Sequence, residues 1–142
     1  MSSPDGLWFD PRGVLWIQTD DGAYTDVTNC MMLAAVTGKV GDGAKTTIGS
    51  QDTYKGKNPS EDNLRRFLVG PKECEITGIT MTPDHKAMFV NIQHPGENGN
   101  LAAMTSHWPD VANPTQVNAN AAARPRSATI VIYRKDGKEI AV

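Results

Sequence analysis

Cysteine is scarce. Two residues, Cys30 and Cys74, in 142 are too few for a disulfide scaffold, or for a closed four-ligand zinc site that histidine does not complete. Cys30 sits in the strand-like apolar run 30–36 and reads as a small core residue. No apolar stretch approaches the roughly 20 residues a membrane helix needs. No run of Lys or Arg stands out, and a net charge of -2 argues against nucleic acid as the main partner. The first five residues lack a basic region followed by an apolar one, so no signal peptide is expected on this chain. Also missing are a nucleophile triad, a phosphate-cradling glycine loop and a clustered zinc motif. Catalysis, if any, then leans on metals. What is present, 39% hydrophobic against 21% charged residues, is enough for one folded domain.

The chain also contains itself. Residues 4–17 and 77–90 align with Pro11 on Pro83, Gly6 on Gly78, Leu7 on Ile79 and Phe9 on Met81. One extra turn residue then brings Leu15 onto Met88, Trp16 onto Phe89 and Ile17 onto Val90. A repeated unit of this kind cannot bury its own apolar faces and implies stacked neighbours. Each copy reads as two strands around a turn. In the first, Leu7 and Phe9 share one face, Trp8 and Asp10 the other, and the run 14–19 alternates less cleanly, as a strand buried on both faces does. Asp10-Pro11-Arg12-Gly13 supplies the turn.

Residues 29–37 supply a third strand, 38–60 a long insertion without usable period, and 66–69 a fourth strand after a turn near Ser60. The second unit runs through 77–82, 87–93 and 128–134, with 94–126 as a loop and 139–142 as a last strand after the Asp136-Gly137 turn. The expected fold is all-β, with two four-stranded antiparallel propeller blades over about residues 4–70 and 75–142. Because a propeller closes with about four to eight blades, the chain reads as part of an incomplete propeller, or as one of several assembling copies. A small open β-sandwich is the alternative.

Blade geometry collects residues 3–5, 19–21, 73–75, 93–97 and 124–127 on one face. Asp5 and Glu75 stand at the starts of innermost strands, where a hard cation such as calcium could draw oxygens from several blades. Asp5 also reads as a turn residue, and Asp20 and Asp21 read as turn caps. His94 is a candidate ligand, a hydrogen-bond donor to a substrate anion, or a loop-stabilising residue. Arg124 and Arg126 suit a phosphate anion, or else form a solvated, salt-bridged loop. The loop residues His107 and Trp108 are expected to pack that loop down.

These segments, above all residues 4–20, Glu75-Ile76-Thr77-Gly78, 81–84, the Gln93-His94-Pro95-Gly96 run and Arg124 to Thr129, resemble the C-terminal part of the PhoX-type bacterial alkaline phosphatases. The resemblance implies a six-bladed propeller, exported by the twin-arginine route to the periplasm or beyond. It implies hydrolysis of phosphate monoesters with calcium (Ca2+) and ferric iron (Fe3+) at the axial mouth, with no nucleic acid or membrane partner. It makes Asp5 a calcium ligand and leaves Glu75 a metal candidate without an assigned role. The upstream blades, with the family's iron-binding cysteine, are not in this chain, and Cys74 is not that cysteine. Three readings follow: a phosphatase segment inactive alone, a non-catalytic two-blade metal or anion binder that oligomerises to cover its blade faces, and a lactonase-like esterase.

Overall fold

The computed structural model describes residues 3–20, 28–38, 41–110 and 123–141. Among them, β1 (Pro4–Phe9), β2 (Val14–Thr19), β3 (Met31–Val36) and β6 (Leu64–Val69) form an antiparallel sheet in the order β1-β2-β3-β6. β4 (Asp42–Ile48) and β5 (Gln51–Gly56) form a separate hairpin, and β7 (Glu75–Met81), β8 (Ala87–Gln93) and β9 (Ala128–Tyr133) form a three-stranded sheet.

The turn that joins β1 to β2 is built by one side chain. Asp10 accepts the amides of Arg12 and Val14 at Oδ1, and the Arg12 guanidinium and Trp16 Nε1 at Oδ2. Burial alone pushes this carboxyl up. The donors from Arg12, Val14 and Trp16 outweigh that and hold it below the ordinary aspartate value of 3.8. The β7–β8 turn repeats the plan with one more residue: Thr82 bonds Ala87 through the backbone as Asp10 bonds Val14, and the Thr82 hydroxyl accepts the Ala87 amide. Gly13 and His85 occupy the same place with φ of 85° and 54°. Glycine adopts that angle without steric cost. His85 is held there while its carbonyl accepts the Ile140 amide.

The repeat reaches further than the sequence alignment. Trp16 pairs with Ala34 as Phe89 pairs with Val131, and Ile17 with Leu33 as Val90 with Ile130, so β3 and β9 are also equivalent. Each first strand carries one register irregularity at the repeated glycine, between Pro4 and Gly6 and between Thr77 and Ile79. An amide from the next strand lies over each glycine. A Cβ on Gly6 would lie 2.6 Å from Gln18 Oε1, and one on Gly78 2.7 Å from Asn91 Nδ2. Gln18 then donates from Nε2 to the Gly78 carbonyl at 3.1 Å, joining the two large sheets.

β7 lies against β1 and β2. Between the sheets, Trp16, Met32, Ile76, Met88, Val90, Ile92 and the two cysteines form the core, with Trp8, Ile79 and Met81 packed on it. Cys30 is therefore the small core residue its sequence context indicates. Cys74 is equally buried, and burial, followed by the neighbouring Cys30, pushes its thiol up to about 12. β2 is buried on both faces from Trp16 to Thr19, as its poor alternation suggests.

Three expectations change. The second sheet has three strands among the described residues, not four, because Ile140 turns inward instead of pairing beside β9. It is almost fully buried, its amide bonded to His85 and its carbonyl to Arg12 Nη1 at 2.7 Å. The insertion contains the β4–β5 hairpin, turned at Gly49 (φ 64°), with Lys45 and Asp52 ion-paired at 2.8 Å across it. The fourth strand of the first sheet starts at Leu64 rather than at Arg66, following a turn in which the Asn63 and Leu64 amides bond Ser60 O.

Candidate metal centre

Strand pairing brings the candidate residues together at one end of the two sheets. Pro4 pairs with Thr19, and the Asp20 amide bonds Ser3 O, so the start of β1 lies beside the end of β2. Glu75 pairs with Gln93, so the start of β7 lies beside His94. The packing of β7 on β1 and β2 makes one cluster of both ends.

Ligand-capable atoms of Asp20, Glu75 and His94 all lie within 4.8 Å of one another. His94 Nε2 is 3.5 Å from Glu75 Oε2. Its Nδ1, shielded from solvent, is 3.2 Å from Glu97 Oε2 but without hydrogen-bond geometry. Glu75 is buried while Asp20 is exposed. Burial pushes the Glu75 carboxyl above its ordinary value of 4.5. The charges of Asp20 and Asp5 and a hydrogen bond with Asp5 add to this, and His94 opposes it. Several negative groups thus crowd one half-enclosed point, the condition that a bound cation relieves.

Backbone geometry supports the cluster. Ser3, Glu73 and His94 all adopt positive φ, at 43°, 55° and 34°, costly angles for residues with a Cβ. The His94 amide donates to Ser127 Oγ at 3.0 Å, and Gly96 N to Lys72 O at 3.0 Å. Thr105 donates its hydroxyl to Glu73. Further along the loop Trp108 packs against the core and His107 Nδ1 lies 2.8 Å from Ala123 O, so the described part of the loop around these two residues is packed down, as its sequence suggests.

The sequence candidates divide. Asp5 and Glu75 meet, as their strand positions suggest. His94 stands among carboxylates, surroundings suited to a cation. Arg126 forms a two-pronged pair with Asp110, at 2.8 and 2.9 Å, and Arg124 is exposed. Asp21 lies outside the described residues. Asp20 was legible only as a turn cap, although its place at the end of a strand that pairs with the start of β1 already set it near Asp5.

The donor set fits metal on chemical grounds. The carboxylates of Asp5, Asp20 and Glu75 suit a hard cation, and an imidazole beside carboxylates also suits iron.

The family model described as "Alkaline phosphatase PhoX" matches residues 1–96. Among solved structures, the PhoX of Pseudomonas fluorescens in complex with vanadate, a transition state analogue, is similar over 96% of this chain, with 36% sequence identity and a TM-score of 0.65. The chain spans 18% of that protein. No curated protein matches it. With the aligned segments, the paired sheets and the matched residues in agreement, the chain belongs to the PhoX family of alkaline phosphatases.

Proposed function

We propose that this chain forms part of the metal-bearing mouth of a phosphate-monoester hydrolase whose further blades lie outside it. The observation that carries the reading is the convergence of Asp20, Glu75 and His94 at the ends of different strands, with Glu75 pushed up by burial and then by its acidic neighbours. In this reading Asp5, Asp20 and Glu75 offer oxygens to calcium, and His94 offers Nε2 to calcium's neighbour, ferric iron, or orients Glu75 for it. Such metals, when bound, neutralise phosphoryl charge and lower the pKa of a coordinated water. The chain's own residues hold the carboxylates in register, and Ser127 Oγ holds the backbone amide of His94. An incoming phosphate meets Arg124 directly, whereas Arg126 can bind it only by exchanging Asp110. Export to the periplasm or beyond agrees with this reading, since extracellular calcium reaches concentrations that a modest site can use.

Calorimetric titration with calcium tests it. Wild type is expected to bind, and Glu75→Gln to bind roughly tenfold more weakly or worse, the scale of a charge contact worth about 1–4 kcal/mol. Affinity is also expected to fall as pH drops through the raised Glu75 pKa, because the proton and the cation compete for one carboxylate. No calcium heat in the wild type overturns the metal reading. Monomer fractions supplied with calcium and iron are expected to leave a chromogenic phosphate ester intact; turnover by the monomer overturns the assignment of activity to a larger assembly.

A further inference from the structure

Glu73 is a buried carboxylate for which the proposed centre has no use. Its side chain is shielded from solvent, yet it is not among the ligand-capable groups that converge as Asp20, Glu75 and His94 do. Taking a carboxylate out of water is costly unless donors meet it. Two do: Thr105 gives its hydroxyl to Oε2, and Lys72 Nζ lies 3.4 Å from Oε1. The backbone here is costly as well, since a φ of 55° crowds a residue that has a Cβ. A residue that keeps two such costs is held in place by its surroundings, and residues of this kind gather where geometry matters to function.

The partner of Glu73 is the segment that follows β8. Lys72 and Glu73 lead into β7, and Glu75 pairs with Gln93, so this lead-in runs beside the first residues after β8. Gly96 N donates to Lys72 O at 3.0 Å, and Glu97 N to Glu73 O at 3.5 Å. Loop 94–106 then folds back on itself, with Asn100 Oδ1 accepting the amides of Ala102 and Ala103. Its two limbs touch closely. A Cβ on Gly96 would lie 2.8 Å from Ser106 Cβ, and one on Gly99 2.8 Å from Thr105 N. The returning limb thereby delivers the Thr105 hydroxyl to Glu73, while the outgoing limb begins at His94, 3.5 Å from Glu75.

We propose that Glu73 is a positioning residue: through Thr105 its carboxylate latches loop 94–106 to the start of β7 and keeps His94 beside Glu75 before a cation arrives. The latch stands on contacts within the chain, and its consequence for a cation rests on the metal reading above. With the latch removed, the backbone bonds of residues 96 and 97 open more often and His94 leaves Glu75 more often. A cation must then order the loop as it binds, and that ordering is subtracted from its affinity.

Hydrogen exchange of the metal-free chain, read beside calcium calorimetry, tests the proposal with three variants. Thr105→Val keeps the side chain's shape and removes the donor, Thr105→Ser keeps the donor, and Glu73→Gln keeps an acceptor without the charge. In Thr105→Val the amides of Gly96 and Glu97 are expected to exchange roughly tenfold faster or more, the scale of a lost hydrogen bond to a charged group. Calcium affinity is expected to fall roughly tenfold, as when a partner behind a ligand is lost. The melting temperature, set by the core between the sheets, is expected to hold. Thr105→Ser is expected to restore both readouts, and Glu73→Gln to lie between, because an amide oxygen accepts the hydroxyl more weakly than a carboxylate does. Unchanged exchange at residues 96 and 97 in Thr105→Val overturns the latch. Faster exchange with unchanged calcium affinity overturns its role at the centre. A Glu73→Gln variant that loses calcium while keeping slow exchange makes Glu73 a charge contact and overturns the proposal too. Absent calcium heat in the wild type overturns the metal reading and the role at the centre with it, while the exchange comparison still decides the latch.

Discussion

Replacing Trp16 by alanine is expected to remove about 3–5 kcal/mol of folding stability, a large share of the 5–15 kcal/mol that a domain of this size commonly has. The ring is completely buried at the centre of the junction between the sheets. It meets Phe67 edge to face, with centroids 4.8 Å apart and planes at 77°, and its Nε1 donates to Asp10 Oδ2 at 3.3 Å. Alanine leaves a cavity that two packed sheets cannot collapse around, and it removes one donor from a buried carboxylate. Trp16→Phe keeps most of the volume and the contact with Phe67, so its loss is expected to be smaller by at least half. Urea denaturation followed by far-ultraviolet circular dichroism reads both midpoints. Equal midpoints for the alanine variant and the wild type would show that the inter-sheet core does not carry the fold.

The second large effect belongs to Asp10. Its side chain is inaccessible to solvent, and four donors converge on it. Asp10→Ala leaves the Val14 amide and the indole nitrogen without their acceptor. The Arg12 guanidinium, 20% exposed, keeps Ile140 O, the more distant Glu139 and Met81 Sδ at 3.9 Å. Breaking a buried pair from one side costs about 3–5 kcal/mol, and the partial exposure of Arg12 places this case toward the lower figure. The pH dependence has a definite sign. The folded pKa lies below 3.8, so the ionised carboxylate's contribution is fully present above the unfolded value and disappears as pH falls through the folded one. Wild type is expected to lose stability below about pH 4 more steeply than Asp10→Asn, which keeps the shape but cannot titrate. Parallel acid limbs for the two proteins would remove Asp10 from the account.

Much of this was readable from the chain because the repeat puts equal residues in equal places. Gly6 and Gly78, Pro11 and Pro83, and Leu7 and Ile79 fix two hairpins with the same irregularity and the same turn plan, one residue longer in the second. What escaped has local causes. The β4–β5 hairpin is polar on both faces, so no alternation marks it, and only Gly49-Ser50 between two Thr-bearing runs hinted at the turn. Ile140 reads as a strand residue because it follows the Asp136-Gly137 turn signal that comes after β9. Its burial depends on a gap at the turn end of the sheets that no local pattern reveals. Asp20 reads as a turn cap because a carboxylate after a strand serves as one in most settings, and only the pairing of β1 with β2 and the approach of β7 bring it beside Glu75 and His94.

The two cysteines carry a consequence of their own. Each thiol is sealed between the sheets, and Cys74 Sγ lies so close to Gly70 that a single added carbon there would come within 2.4 Å of it. With both thiols buried and that of Cys74 held at about 12, an alkylating reagent is shut out from both in the closed molecule and meets hardly any thiolate at Cys74. Every labelled chain is one whose sheets have parted. The residues that make the sequence poor in cysteine chemistry thus give the molecule an internal clock for its own opening.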